Sequence, residues 1–457
     1  MASGQTRSTG ARNSIVILGG GASGVILAAH LLRSADPNLR VTIVEKRPAF
    51  GRGRAYAAGL SDHRLNVRAP GMSAFPDQPD HFLVWLQKHG HTQQGSDFFA
   101  PRALYGEYLG TILDELAQRE AESGRLHLMT AEIVSVAPSV SGVAVKLANG
   151  ASLVCRRAVL AVGHDEAPDP SHRYAVRMDD DREPQFDLRQ DVLALGTGLS
   201  MIDVWLGLQA RGHQGRLIAV SRRGLLPSPH RLGNPIRLDN SDIPMGTDLS
   251  YFLSWFRDIV RLTERRGGSW RDVVDGLRPH NQSIWQSWPI AARQRFLNHA
   301  KAWWDIHRHR TPPDIHARVS DAVNAGQLLL VAGGVVDTRR DGAGYTVDVK
   351  SRGTGDQLSY EVARIYDCTG IVKKVAESSS ALLRALFDSG AARSDRLGIG
   401  LDVTRACAVI AADGSVSNRL YAIGPLTRGE FFEIDAIPEI RTQCAALAQR
   451  LAEPTPF

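Results

Sequence analysis

The chain has 457 residues and 43% hydrophobic content, enough for two or three packed domains. Its net charge of +6 is small and scattered, with no Lys/Arg block interleaved with aromatics, which excludes a nucleic-acid-binding surface. Cys155, Cys368, Cys407 and Cys444 form no CxxC or zinc spacing, and no run approaches the roughly 20 apolar residues of a membrane helix, so a cytoplasmic, metal-free protein with reduced thiols is expected.

Residues 1–12 are small and polar and read as a disordered tail, not a signal peptide. Ser14-Ile15-Val16-Ile17-Leu18 is a branched strand run, followed by a glycine cluster and an apolar helix over Val25 to Leu32. A second run, Val41-Thr42-Ile43-Val44, ends at Glu45. This strand–turn–helix–strand order is the parallel unit of a doubly wound fold. A helix follows near Tyr105–Gly124. Residues 126–161 alternate as a small antiparallel meander with a hairpin at Asn149-Gly150, returning to the sheet at Val162-Gly163. Residues 192–224 repeat the opening logic, so the chain holds two Rossmann-like units. A tryptophan-rich helical insertion then interrupts the second unit. Strands resume from Leu328, pass through Gly370 and Gly424, and give way to a helix near Ile437–Leu451.

Gly19-Gly20-Gly21-Ala22-Ser23-Gly24 fits G-x-G-x-x-G. Gly19 serves the tight turn, Gly21 lets the backbone approach a pyrophosphate, and Gly24 lets helix and strand pack closely. Glu45 is placed to accept from a ribose diol. The order of elements, with a C-terminal strand returning at Gly424, points to FAD in this loop. The second loop, Gly196-Thr197-Gly198-Leu199-Ser200-Met201, puts Met201 where the third glycine would stand. Its following strand ends at Ser221, with Arg222-Arg223-Gly224 next. Arginine there suits the 2′-phosphate of NADPH, where an acidic residue would suit NADH; the alternative is a pair of solvated surface charges.

The expected fold is therefore α/β, with two Rossmann-like dinucleotide-binding domains in a glutathione-reductase-like layout. The FAD-binding domain would span 13–190 and 326–457. The NADPH-binding domain would span 191–325, with the insertion at about 228–320.

Several segments resemble a known family. They are the first loop, Arg52-Gly53-Arg54-Ala55-Tyr56, His63 to Ala69 with Met72-Ser73-Ala74-Phe75-Pro76, Trp85-Leu86, Gly196 to Asp203, Ser221 to Pro227, Arg308-His309-Arg310 and the end around Gly424–Arg441. Together they resemble the FAD/NAD(P)-binding family typified by the bacterial protein YdhS, related to flavin-dependent N-hydroxylating monooxygenases. The F-x-G-x-x-x-H-x-x-x-W pattern of Baeyer–Villiger enzymes is absent; Val162-Gly163-His164 is only faintly like it. The resemblance implies that Arg54, Asn66, Met72 and Ser73 line the flavin site, beside Lys46, Val134, Gly163, Gly370, Gly424 and Pro425. Arg54 as an ordinary surface arginine, Met72 as core filling, and Asn66 and Ser73 as loop caps are the structural alternatives.

With both nucleotides bound, the cofactors carry the chemistry. The expected activity is an NADPH-dependent monooxygenase that N-hydroxylates a small amine or amino acid with O2 through a C4a-hydroperoxyflavin. The alternatives are an oxidoreductase or oxidase without oxygen insertion, and a nucleotide-binding protein without turnover. His309 and Arg310 are the candidate substrate-binding residues within the insertion; packing of the arginines against tryptophan is the competing role. Homo-oligomerisation is left open.

Overall fold

The computed structural model describes residues 6–8 in their backbone and residues 13–34, 36–57, 63–93, 95–163, 174–176, 185–370 and 374–452. It divides into two compact units, Met1–Ala167 with Val372–Phe457, and Pro168–Ile371.

The main sheet of the first unit has the order Ala408–Ile410, Val416–Ala422, Arg157–Leu160, Asn13–Leu18, Leu39–Glu45, Leu126–Thr130. All neighbours run parallel except the first pair. Parallel strands are covered on both faces, which is why Ile15 to Leu18 is a continuous buried run with no alternation. The helix Ala22–Leu31 crosses this sheet with Val25, Ile26, Leu27, Ala28 and Leu31 fully buried. Each of its large aliphatic side chains contributes about 1.5–3 kcal/mol by leaving water. The C-terminal helix Ile437–Ala452 packs against it.

The second sheet of this unit orders Thr6–Ser8, Ser152–Cys155, Val143–Leu147 and Ile133–Pro138. Two expectations are corrected here. Leu126–Thr130 joins the parallel sheet beside Leu39–Glu45, so the meander is confined to the strands from Ile133 to Cys155. The expected loose tail contains a strand, Thr6–Ser8, whose main chain pairs with Ser152–Val154. The Asn149-Gly150 hairpin forms, with Gly150 at φ +85° and its N–H on the Leu147 carbonyl at 3.0 Å.

The sheet of the second unit orders Gln357–Val362, Gly344–Ser351, Leu328–Asp341, Leu217–Ser221, Val192–Leu195, Arg364–Asp367. Its last four strands are parallel and its first three antiparallel. Side chains alternate between two cores: Val192, Ala194, Leu217 and Ala219 face one, Leu193, Leu195, Ile218 and Val220 the other. The strands over 328–367 thus extend this sheet, and the chain rejoins the first unit at Val372 rather than at 326. The insertion also ends earlier than expected. Pro229 and Thr311 form a bridge that closes its neck, with the His230 N–H on the Thr311 carbonyl at 2.9 Å and the Thr311 N–H on the Ser228 carbonyl at 3.0 Å. The helix after it, Pro313–Asn324, buries Ile315, Val319 and Ala322 in the unit's own core.

Candidate nucleotide-binding sites

In the first unit the turn from Leu18 into helix Ala22–Leu31 is held by main-chain bonds. The Gly19 N–H donates to the Val44 carbonyl at 2.8 Å, and the Gly51 N–H to the Gly20 carbonyl at 2.7 Å. Gly19 sits at φ +114°, and a Cβ there would lie 2.5 Å from the Ala161 carbonyl oxygen. A Cβ at Gly24 would come within 2.0 Å of the Gly19 oxygen, so these two glycines answer to the protein's own packing. Gly21 does not. Its φ of −74° and ψ of −167° suit any residue, and a Cβ would meet only the Gly53 Cα at 3.6 Å. The helix it caps has no side-chain cap and no acidic residue in its first turn, leaving N–H groups and the positive dipole end open past Ala22 and Ser23.

Glu45 ends the next strand beside this turn. One carboxylate oxygen accepts from the Gly20 N–H at 2.8 Å and the other from the Arg47 N–H at 3.1 Å. Two backbone donors fix its orientation and leave lone pairs for a diol. Gly424 closes the far side: at φ +68° its Cα packs on Ser23, where a Cβ would lie 2.8 Å from the Ser23 hydroxyl. Its N–H is committed to Gln443 Oε1 at 2.7 Å, and Gln443 Nε2 donates to the Thr427 hydroxyl at 3.0 Å. Pro425 is buried in the same turn. Gln443 carries no signal in the sequence, because it acts from a distant helix. Val134 sits at the register shift between Ile133 and Ser135, which takes its main chain out of the ladder. Gly163 follows the Arg157–Leu160 strand at φ +73° and faces open space.

The resemblance-based wall residues divide. Arg54 and Asn66 are half-buried in the loops that follow Glu45, and Lys46 is exposed. Met72 and Ser73 are wholly inside the core. The Ser73 hydroxyl accepts from the Phe75 N–H at 3.0 Å and donates to the Gln78 carbonyl at 2.7 Å, so it caps its own turn inside the core. Gly370 belongs to the second unit, where it follows Arg364–Asp367 at φ +92°. His164 lies outside the described residues.

The second unit repeats the turn of the first with different side chains around it. The Gly196 N–H donates to the Val220 carbonyl at 2.7 Å. Gly196 sits at φ +115°, and a Cβ would lie 2.4 Å from the Cys368 oxygen, the counterpart of Gly19 against Ala161. Gly198 is the counterpart of Gly21: its φ is −85°, a Cβ would meet nothing within 4 Å, and it opens helix Leu199–Ala210 without a side-chain cap. Leu199 is half-buried and Ser200 exposed at this terminus. Met201 takes the place of Gly24 and is fully buried in the core. Ser221 ends the next strand; its hydroxyl bonds the Thr197 hydroxyl at 2.9 Å and accepts from the Gly224 N–H at 3.0 Å, which sets the turn carrying Arg222 and Arg223.

The two arginines are not equivalent. Arg223 donates to the His299 carbonyl at 3.1 Å and lies over the Trp303 ring at 5.7 Å, tied to the insertion. The Arg222 side chain is exposed and, among the described residues, engages no group.

The insertion does not present Arg310. That side chain is 2% exposed and forms a bidentate ion pair with Asp275. Its Nε donates to the His307 carbonyl at 2.8 Å, and its guanidinium lies over Trp270 at 5.6 Å. It is scaffold, and the expected substrate role at Arg310 is withdrawn. His309 is half-buried, its Nε2 3.8 Å from Asp305. Trp285 and Trp288 pack with Phe252 and Phe296 into the insertion's interior.

All four cysteines are buried and reduced. Burial pushes the Cys155 and Cys407 thiols up to about 12 and the Cys444 thiol well above its usual range, so these three are not thiolate nucleophiles. Among the described residues no helix is long and apolar enough to cross a membrane.

Residues 16–165 match a family model described as FAD-NAD(P)-binding, so the first unit carries an FAD/NAD(P)-binding domain. No curated protein matches the sequence. Solved structures share the fold across nearly the whole chain. Ornithine N-hydroxylase from Kutzneria sp. 744, solved with reduced FAD, NADP+ and L-ornithine, is 15% identical with a TM-score of 0.64, over 96% of this chain and 98% of that one. L-lysine 6-monooxygenase from Pseudomonas syringae is 15% identical with a TM-score of 0.63, over 96% and 99%. Bacillithiol disulfide reductase from Staphylococcus aureus is 13% identical with a TM-score of 0.53, over 96% and 97%. The Rossmann-type fold of both units is thereby shared with flavin monooxygenases and with reductases.

Proposed function

We propose that the chain is an NADPH-dependent flavoprotein monooxygenase, with FAD in the first unit and NADPH in the second, that N-hydroxylates a small amine or amino acid. The observation that carries the two-nucleotide reading is the pair Gly21 and Gly198. Neither backbone conformation nor packing requires glycine at either position. What remains is the close approach of a ligand to the main chain at an open helix terminus, which is how pyrophosphate binds. Glu45 holds acceptor oxygens for the ribose of FAD, and Arg222 offers a guanidinium to the 2′-phosphate of NADPH.

FAD and NADPH, when bound, supply the reducing equivalents and the activation of oxygen. The protein's part is to bind and orient. Gly424, locked by Gln443, seats the C-terminal return against Ser23 and so bounds the first loop. The oxygen-inserting half of the proposal is supported by the shared fold with the ornithine and lysine hydroxylases. Four free, buried cysteines with no CxxC spacing stand against the disulfide-reductase chemistry that also occurs on this fold. The test is NADPH oxidation under oxygen with a panel of amines and amino acids, including ornithine, lysine and cadaverine. The proposal expects one class to yield a hydroxylamine in step with NADPH consumed. Peroxide with no hydroxylamine from any member of the panel would leave an oxidase.

A further inference from the structure

We infer that Arg352, delivered by the antiparallel extension of the second sheet, joins Arg222 in holding the 2′-phosphate of the dinucleotide. The inference rests on NADPH being the nucleotide of the second unit and adds a residue that no sequence motif contains.

Sheet register brings the two arginines together across 130 residues. Leu328–Asp341 pairs antiparallel with Gly344–Ser351, with Gly333 opposite Ser351. Arg352 is therefore set beside Ala332, and its N–H donates to the Ala332 carbonyl at 2.8 Å. The turn after Ser221 rests on the same residue: Gly224, at φ +61°, lies so close that a Cβ would be 3.3 Å from the Ala332 Cβ. Ala332 is the shared floor of both turns. From this position Arg352 Nη1 donates to the Arg222 carbonyl at 3.0 Å.

That bond uses one of five guanidinium N–H donors and fixes the group at the end of the strand where a dinucleotide presents its adenosine ribose. Carboxylates neutralise some arginines of this unit, Arg216 through Asp191 and Arg339 through Asp337 and Asp348. Arg222 and Arg352 are both exposed, and among the described residues neither has a carboxylate partner. Two unneutralised guanidinium groups at adjacent backbone positions suit a dianionic phosphate monoester, which accepts from both. The competing role is purely structural, a staple across the turn.

The test is calorimetric titration of the full chain with adenosine 2′,5′-bisphosphate and with 5′-AMP. The wild-type protein is expected to favour the bisphosphate. Arg352→Ala should weaken the bisphosphate roughly tenfold and leave 5′-AMP unchanged, since losing one charge-assisted contact costs about that much. Arg352→Gln keeps a donor for the Arg222 carbonyl while removing the charge, so it preserves the staple and should lose the same discrimination. Equal weakening of both probes, or full discrimination in Arg352→Gln, overturns the inference. A wild-type protein that binds both probes alike overturns the NADPH reading and this inference with it.

Discussion

At the scale of single residues, the glycines separate into those the fold needs and those a ligand needs. Gly19, Gly24 and Gly196 would each drive a Cβ into a carbonyl oxygen, at 2.5, 2.0 and 2.4 Å respectively. Gly21 and Gly198 would not. Gly21→Val should therefore fold with an unfolding midpoint close to wild type yet purify without FAD. A variant that keeps a full complement of flavin would remove the first loop from the cofactor site. Arg222→Ala should raise KM for NADPH roughly tenfold to a hundredfold and leave NADH nearly unchanged, from about 1.5–3 kcal/mol of lost charge-assisted bonding. Arg223→Ala should change the NADPH/NADH ratio much less, because its guanidinium is already given to His299 and Trp303. Steady-state kinetics with both nucleotides decides between them; equal effects of the two substitutions would mean the turn is read wrongly.

At the scale of elements, the insertion and the loop after Glu45 behave as structure. Arg310→Ala leaves Asp275 without its counter-charge, and Asp275 is about a third exposed, so the cost falls below that of a fully buried pair, at about 1–3 kcal/mol. Thermal unfolding should show that loss; an unchanged midpoint would return Arg310 to the candidate ligands. In the first unit, His81 Nδ1 and the Tyr108 hydroxyl are hydrogen-bonded at 2.8 Å, and that hydroxyl accepts from the Ala74 N–H at 3.1 Å. Phe75 lies edge-on to both His30 and His81. Burial holds both imidazoles below their usual range. The folded chain thus binds these protons more weakly than the unfolded chain does. Stability is full above the unfolded value of about 6.5 and falls as pH drops through it toward the lower folded values. Asp36 and Asp77, held low by their hydrogen bonds to Asn13 and Arg33, act only in the acidic range below about 4. Urea midpoints measured from pH 8 to 5 should show a smaller decline in His81→Gln and His30→Gln than in wild type, and equal declines would assign the effect elsewhere.

Local signals explain what the sequence made legible. Strand, glycine turn and helix follow one another without interruption from Ser14 to Leu31 and from Val192 to Ala210, so both loops could be read directly. Glu45 and Arg222 stand at fixed distances after those loops and were equally plain. Long-range register was not. Nothing near Arg352 reveals that it faces Ala332, and nothing near Leu328 reveals that its strand continues the second sheet rather than the first. Ser73 and Arg310 misled for one reason: a polar side chain in a loop looks available until its partners, Gln78 and Asp275, are brought to it by the fold.

At the scale of the whole molecule, one chain builds the same strand–glycine turn–helix unit twice, on two sheets of different order. The first turn lies within the segment matched as FAD-NAD(P)-binding, and the second is followed by arginine rather than an acid. A protein that only stored one nucleotide would not need the second. Electron flow from one nucleotide to the other is the proposed consequence, and anaerobic addition of NADPH to the purified protein loaded with FAD tests it most directly. Bleaching of the flavin absorbance by NADPH, faster than by NADH at equal concentration, is the predicted result. A flavin band that neither nucleotide bleaches would contradict it.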